Sequence, residues 1–180
     1  MSTGTKHPIL IVDDEPDVLF SLKGLLRHDF ELYTAESGEQ ALEILRQHTI
    51  HVIMTDQRMP GMTGAQLVRQ ARTLYPDAVL IVFTGYADIK AVIEAINTGG
   101  LYRYITKPWD PDELIDVLQH AAKRYDEHAA RVRFAHDAKS FANDVVQHVE
   151  AGDLNGDDAA AVKPLVDRGR LLASQADPFL

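Results

Sequence analysis

Short apolar runs recur along the first two thirds of the chain, at 9–12, 52–55, 79–83 and 102–105, with a weaker one at 30–35. Most are rich in β-branched residues and too short for helices, as expected of strands buried on both faces of a parallel sheet. The segments between them repeat with helical period. Pro16 follows Asp14-Glu15 and suits a first turn, where its missing N–H has no intrahelical partner to lose. Leu19, Leu22, Leu25 and Leu26 then supply a buried stripe. Ser37 and Gln40 have the spacing of a capping box ahead of Ala41, Leu42 and Leu45. Gly64 opens a segment with Leu67, Val68, Ala71 and Leu74 on one face, and 87–96 reads as another helix. Asp110-Pro111-Asp112-Glu113 combines an N-cap, a proline at N1 and an acid at N3. Strands and helices in strict alternation predict an α/β fold, a doubly wound parallel sheet of five strands and five helices, with its chemistry at the carboxyl ends of the strands.

The helical pattern continues past the last strand. Leu118, Ala122, Tyr125, Ala129 and Val132 step by four and three, and Phe134, Ala138, Phe141, Val145 and His148 do so on a shifted stripe. The final helix is therefore expected to run on, with a rotation or break near Arg133. Gly152-Asp153-Leu154-Asn155-Gly156 should end it. A second helix over roughly 158–175 would carry Val162, Leu165, Val166, Leu171 and Leu172, with Pro164 as a kink or a fresh first turn. The expected organisation is a domain over 1–125 and a helical hairpin over 126–180. Two thin amphipathic helices cannot enclose a core alone, so the hairpin implies a partner, and a symmetric dimer would complete a four-helix bundle. Asp153, Asn155 and Asp157 start like a calcium loop, but Gly156 is misplaced and the twelfth position is Pro164 instead of Glu, so no calcium site is expected.

Composition narrows the chemistry. There is no cysteine, which excludes a disulfide framework, a thiolate-ligated metal and a cysteine nucleophile. Eighteen Lys and Arg against 27 Asp and Glu leave a net charge of −9, and residues 126–180 alone carry −4. That balance argues against nucleic-acid binding and against a conventional DNA-binding output, both of which need a basic face. No signal peptide is visible and no apolar run approaches the ~20 residues of a spanning helix, so a soluble, cytoplasmic protein without membrane contact is expected.

The polar residues fall at strand ends. Asp13 and Asp14 follow the first strand, Asp56 the third, Thr84 the fourth and Lys107 the fifth. In a parallel sheet they share one edge. Three crowded carboxylates raise one another's pKa unless a cation intervenes. Mg²⁺ fits as a hard ion that accepts one or two carboxylates, waters and phosphate oxygens. Lys107 offers a point charge to a further anionic oxygen and Thr84 a hydroxyl. Such a site supports phosphoryl transfer by position and charge, with Asp56 as the nucleophilic acceptor.

Four motifs carry a family resemblance: Ile11-Val12-Asp13-Asp14-Glu15-Pro16, Thr55-Asp56-Gln57-Arg58-Met59-Pro60-Gly61-Met62, Thr84-Gly85-Tyr86 and Tyr104-Ile105-Thr106-Lys107-Pro108-Trp109. Over residues 8–125 the chain resembles the flavodoxin-like receiver domain of two-component response regulators. The resemblance implies that Asp56 accepts phosphate from a histidine kinase or phosphotransfer protein. It implies that Asp14 and Asp56 bind Mg²⁺ directly, Asp13 through water, and Arg58 through its backbone carbonyl. Thr84 and Tyr104 would form the switch pair, Thr84 moving to the phosphoryl oxygens and Tyr104 turning inward. Arg58 and Tyr86, two residues beyond Asp56 and Thr84, stand where side chains gate the water that hydrolyses the acyl phosphate. The stretch from Thr84 to Tyr104 looks like a subgroup whose receivers often precede a kinase, cyclase or phosphodiesterase.

In the tail, Phe134-Ala135-His136-Asp137-Ala138-Lys139-Ser140 is similar to the H-box of histidine kinases, with Phe141 in place of the usual proline. His136 is thus a candidate phosphohistidine in a hairpin resembling a dimerisation and phosphotransfer segment. The expected function is a response regulator signalling through the Thr84/Tyr104 face and a tail that dimerises or docks a protein. The alternatives are a phosphorelay intermediate using both Asp56 and His136, and a non-catalytic adaptor.

Overall fold

A computed structural model of the chain describes residues 6–85 and 101–150, together with 163, 164, 166–168 and 171. Five strands form one sheet: β1 (Pro8–Val12), β2 (Glu31–Ala35), β3 (Val52–Asp56), β4 (Val79–Thr84) and β5 (Arg103–Thr106). All neighbours are parallel, in the order β2-β1-β3-β4-β5. The described helices are α1 (Pro16–Leu26), α2 (Gly38–Gln47), α3 (Gly64–Leu74) and α4 (Pro111–Glu150). The expected helix over 87–96 lies outside the described residues.

The pleat of β1 divides the core. Leu10 and Val12 face one cluster with Ala41, Leu42 and Leu45 of α2 and Leu67, Val68 and Ala71 of α3. Ile9 and Ile11 face the other, with Leu19, Leu22 and Leu26 of α1 and Leu114, Val117, Leu118 and Ala121 of α4. Burial on both faces is why β1, β3 and β4 read as unbroken apolar runs, whereas the edge strands β2 and β5 are partly exposed. This is the flavodoxin-like arrangement.

The helix starts follow local chemistry. Ser37 Oγ accepts from the Gln40 N–H at 3.1 Å, but Gln40 Oε1 accepts from the Glu36 N–H, one residue outside a reciprocal box. A full capping box stands instead at α3, between Thr63 and Gln66. Asp110 Oδ1 accepts from the N–H groups of Asp112 and Glu113 at 2.9 and 3.0 Å, ahead of Pro111 at N1.

Two further expectations change. Leu74, at the end of α3, is 57% exposed rather than part of the buried face. No break occurs at Arg133, because α4 is continuous from Pro111 to Glu150. The second stripe is not a covered face: Phe134 and Phe141 are exposed, and burial continues along the first stripe through half-buried Ala129 and Val132 to buried Ala135.

The chain falls into two compact units, Met1–Tyr125 and Asp126–Leu180. In the second, Ala135 and Val166 are buried, while Phe134, Phe141 and Leu171 are exposed. Residues 163, 164, 166–168 and 171 are helical; the glycine-containing turn expected over 152–156 lies outside the described residues. No described helix is long and apolar enough to cross a membrane.

Candidate phosphoacceptor site

Sheet register builds the site. Val12 pairs with Thr55, Asp56 with Phe83 and Thr84 with Thr106. Asp13 directly follows Val12 and Lys107 directly follows Thr106, so Asp13, Asp56, Thr84 and Lys107 come to one edge. It is the edge where β1 and β3 lie side by side while their connections diverge, the switch point at which open α/β sheets bind ligands.

One ammonium joins two carboxylates there. Lys107 Nζ lies 2.7 Å from Asp56 Oδ1 and 3.0 Å from Asp13 Oδ2. The other oxygens are held by backbone: Asp13 Oδ1 accepts from the Glu15 N–H at 2.8 Å, and Asp56 Oδ2 from the Arg58 N–H at 2.5 Å. Asp13 is fully buried, Asp56 nearly so, and Asp14 half-buried. Lys107 Nζ also stands 4.7 Å from the centre of the Phe83 ring, which Trp109 meets edge-on. The peptide between Lys107 and Pro108 is cis.

Burial pushes the Asp56 carboxyl above the usual carboxylate range; the Lys107 ammonium and the Arg58 N–H oppose this, and the neighbouring Asp13 adds to it. Burial pulls Lys107 down, but its ion pairs with Asp56 and Asp13 together outweigh that and hold it above the ordinary lysine range. The site thus keeps a stable positive charge beside a crowded pair of acids.

The residues suit a hard divalent cation. Their donor atoms are all oxygens, and Asp13 and Asp56 converge on one positive centre. Among the described residues no three acidic or histidine side chains are gathered closely enough to hold a metal alone. Mg²⁺, which keeps several waters and takes few protein ligands, is the ion that such a set accommodates.

Thr84 is buried, with its hydroxyl donating to the Gly85 carbonyl at 3.2 Å, whereas Tyr104 is 45% exposed. The two expected switch residues therefore occupy neighbouring strands, one inside and one outside. Tyr86 lies outside the described residues. His136 and Asp137 are exposed on α4.

The model of the response regulator receiver domain matches residues 9–119. The chain belongs to the response regulator receiver domain family. The receiver is 38% identical over 117 residues to the hydrogenase transcriptional regulatory protein HoxA of Bradyrhizobium diazoefficiens, covering 65% of this chain and 24% of that protein. It is 32% identical over 120 residues to the DNA-binding transcriptional regulator NtrC of Escherichia coli, covering 66% and 25%. The chain thus spans about a quarter of the length of the curated relatives it matches. Among solved structures, a chain described as adenylate cyclase from Rhodopirellula baltica superposes with a TM-score of 0.69 at 35% identity, covering 72% of this chain and 96% of that one. A receiver domain protein from Clostridium thermocellum gives 0.63 at 31%, covering 67% and 97%.

Three supporting residues escaped sequence reasoning. Gln57, buried beside Asp56, donates its N–H to the Phe83 carbonyl, while its own carbonyl accepts from the Gly64 N–H and its Oε1 from the Ala65 N–H at 3.0 Å. It ties the acceptor loop to α3. Gly64 lets that helix approach, since a Cβ there would lie 2.2 Å from the Asp56 carbonyl oxygen. Thr63 had a readable signal, a Gln three residues on. Gln57 had none, because its partners arrive from β4 and from the start of α3.

Proposed function

We propose that Asp56 of this response regulator receiver accepts a phosphoryl group from the phosphohistidine of a histidine kinase or phosphotransfer protein. A carboxylate oxygen of Asp56 attacks phosphorus as the P–N bond to the imidazole breaks, and the imidazole departs with the bonding pair. The observation that carries this reading is the double ion pair of Lys107 with Asp13 and Asp56 at the carboxyl edge of the sheet. Mg²⁺, when bound, would neutralise carboxylate and phosphoryl charge, held by Asp14 and Asp56, by Asp13 through water and by the Arg58 backbone carbonyl. Lys107 would exchange a carboxylate oxygen for a phosphoryl oxygen. Thr84 would donate its hydroxyl to the phosphoryl group, and Tyr104 would move from solvent into the space Thr84 leaves. The acidic tail over 126–180 would pass the change on by protein contact, as a homodimer through its helices or by docking a partner, without nucleic acid, in the cytoplasm.

Phosphotransfer profiling against candidate kinases tests this with wild type, Asp56→Asn and His136→Ala. Acid-stable, alkali-labile phosphate that disappears in Asp56→Asn and on removal of Mg²⁺ supports the reading. Full-rate uptake by Asp56→Asn sinks it.

A second reading has its own support. His136 and Asp137 are exposed on an uninterrupted helix, where a partner's Asp can reach the imidazole. Alkali-stable, acid-labile phosphate lost in His136→Ala would make the chain a relay intermediate. Absence of phosphate from every kinase, with partner binding intact, would leave the adaptor role.

A further inference from the structure

The amino-terminal edge of the sheet carries a second constellation, chemically unlike the first. His7 immediately precedes β1 and His51 immediately precedes β3, and these strands are neighbours. Their Nδ1 atoms share an N–H···N hydrogen bond of 2.9 Å, one ring donating and the other accepting, with the ring centres 5.2 Å apart and the planes at 64°. His51 stacks on Tyr125 of α4, centre to centre 3.8 Å at 14°.

The backbones that carry the two rings are clamped. The His7 carbonyl accepts from the Glu31 N–H at 3.0 Å, the His51 N–H donates to the Pro8 carbonyl at 2.9 Å, and the His51 carbonyl accepts from the Val79 N–H at 2.9 Å. Sheet pairing on both sides and the Tyr125 stack therefore orient the imidazoles before any ligand arrives. Both rings are half-buried, which leaves a path from solvent.

The same separation would also suit a metal ion in place of the shared proton. At metal–nitrogen distances of about 2.0–2.1 Å, two nitrogens at a right angle lie about 2.9 Å apart, and at the tetrahedral angle about 3.3 Å apart. The His7–His51 spacing matches the first value. We propose that His7 and His51 chelate a divalent transition metal through their Nδ1 atoms, with a tetragonal ion such as Cu²⁺ or Ni²⁺ preferred over tetrahedral Zn²⁺. Among the described residues no third His, Asp or Glu gathers with the pair. Each Nε2 then carries the ring proton. Imidazole nitrogen selects these ions, whereas the carboxylate edge selects Mg²⁺. The length of β1, about 16 Å for five residues, keeps the two sites apart. A metal here would pin the start of β1 to β3 and, through the stack, to the receiver's last residue.

Titration of the full chain with Cu²⁺ and Ni²⁺ in excess Mg²⁺, followed by calorimetry and copper electron paramagnetic resonance, tests the site. Wild type should bind one equivalent with two nitrogen ligands, and His7→Gln and His51→Gln should each weaken that binding about tenfold or more. His28→Gln, an exposed histidine elsewhere, should change nothing. Circular dichroism and Asp56 phosphorylation confirm that the variants are folded; a His51→Gln that fails to fold leaves His7→Gln to decide. Equal titrations for wild type and His7→Gln, or a loss matched by His28→Gln, would reduce the binding to adventitious surface histidine and overturn the proposal.

Discussion

Lys107 is the residue on which the proposed chemistry and the local stability both turn. Its ammonium compensates Asp13, which is fully buried, and Asp56. Replacing it by Met leaves two carboxylates crowded without a cation. Because the side chain is 25% exposed, the loss should fall below that of a fully buried pair, at about 2–3 kcal/mol. Urea denaturation should report that loss, and Asp56 should at the same time lose phosphate uptake. Gly64 tests the site from the backbone. Gly64→Ala places a methyl on the Asp56 carbonyl, so α3 must move or the acceptor loop must shift. Destabilisation of about 1–3 kcal/mol is expected, with slowed phosphorylation measured against Gly24→Ala, where a Cβ would meet nothing within 4 Å.

At the level of elements, the helices stop and start where side chains meet orphan backbone groups. Thr63→Ala removes the reciprocal box at α3 and should cost about 1 kcal/mol in thermal or urea unfolding. Gln66→Ala should cost part of the same amount, and the double variant should show less than the sum, because one box serves both. The central strands β1, β3 and β4 were legible as apolar runs because every position on a doubly covered parallel strand faces a helix layer; the edge strands β2 and β5 are only partly covered, and their runs are broken by polar residues. Leu74 shows the limit of that reading. Helical periodicity says which side of α3 turns inward, and does not say how far the neighbouring layer extends; the last residue of the helix meets solvent. Arg133 shows a related limit. A second apolar stripe needs no break in the helix: α4 is unbroken, and the Phe134 and Phe141 stripe meets solvent.

For the whole molecule, the open question is what covers the exposed aromatic residues of the second unit. Phe134 and Phe141 are 77% and 71% exposed and one heptad apart. If the tail dimerises as proposed, Phe134→Ser and Phe141→Ser should each weaken self-association about tenfold or more in analytical ultracentrifugation while barely altering unfolding of the monomer. Unchanged association in the double variant would remove this face from the dimer. The family match ends at residue 119, so the role of the tail is read from its own residues: its −4 charge, its exposed His136 and its aromatic stripe.

The linear chain determined the alternation of strands and helices and the residue types after each strand, because both depend on nearest neighbours and on a fixed period. From those it was possible to place Asp13, Asp56, Thr84 and Lys107 on one edge. Only the tertiary structure decided that Lys107 spans Asp13 and Asp56 at once, that Gln57 and Gly64 brace the acceptor loop, and that His7 meets His51. Each of those contacts joins residues carried by different elements, and their distances follow from sheet register and helix approach, which no local pattern encodes.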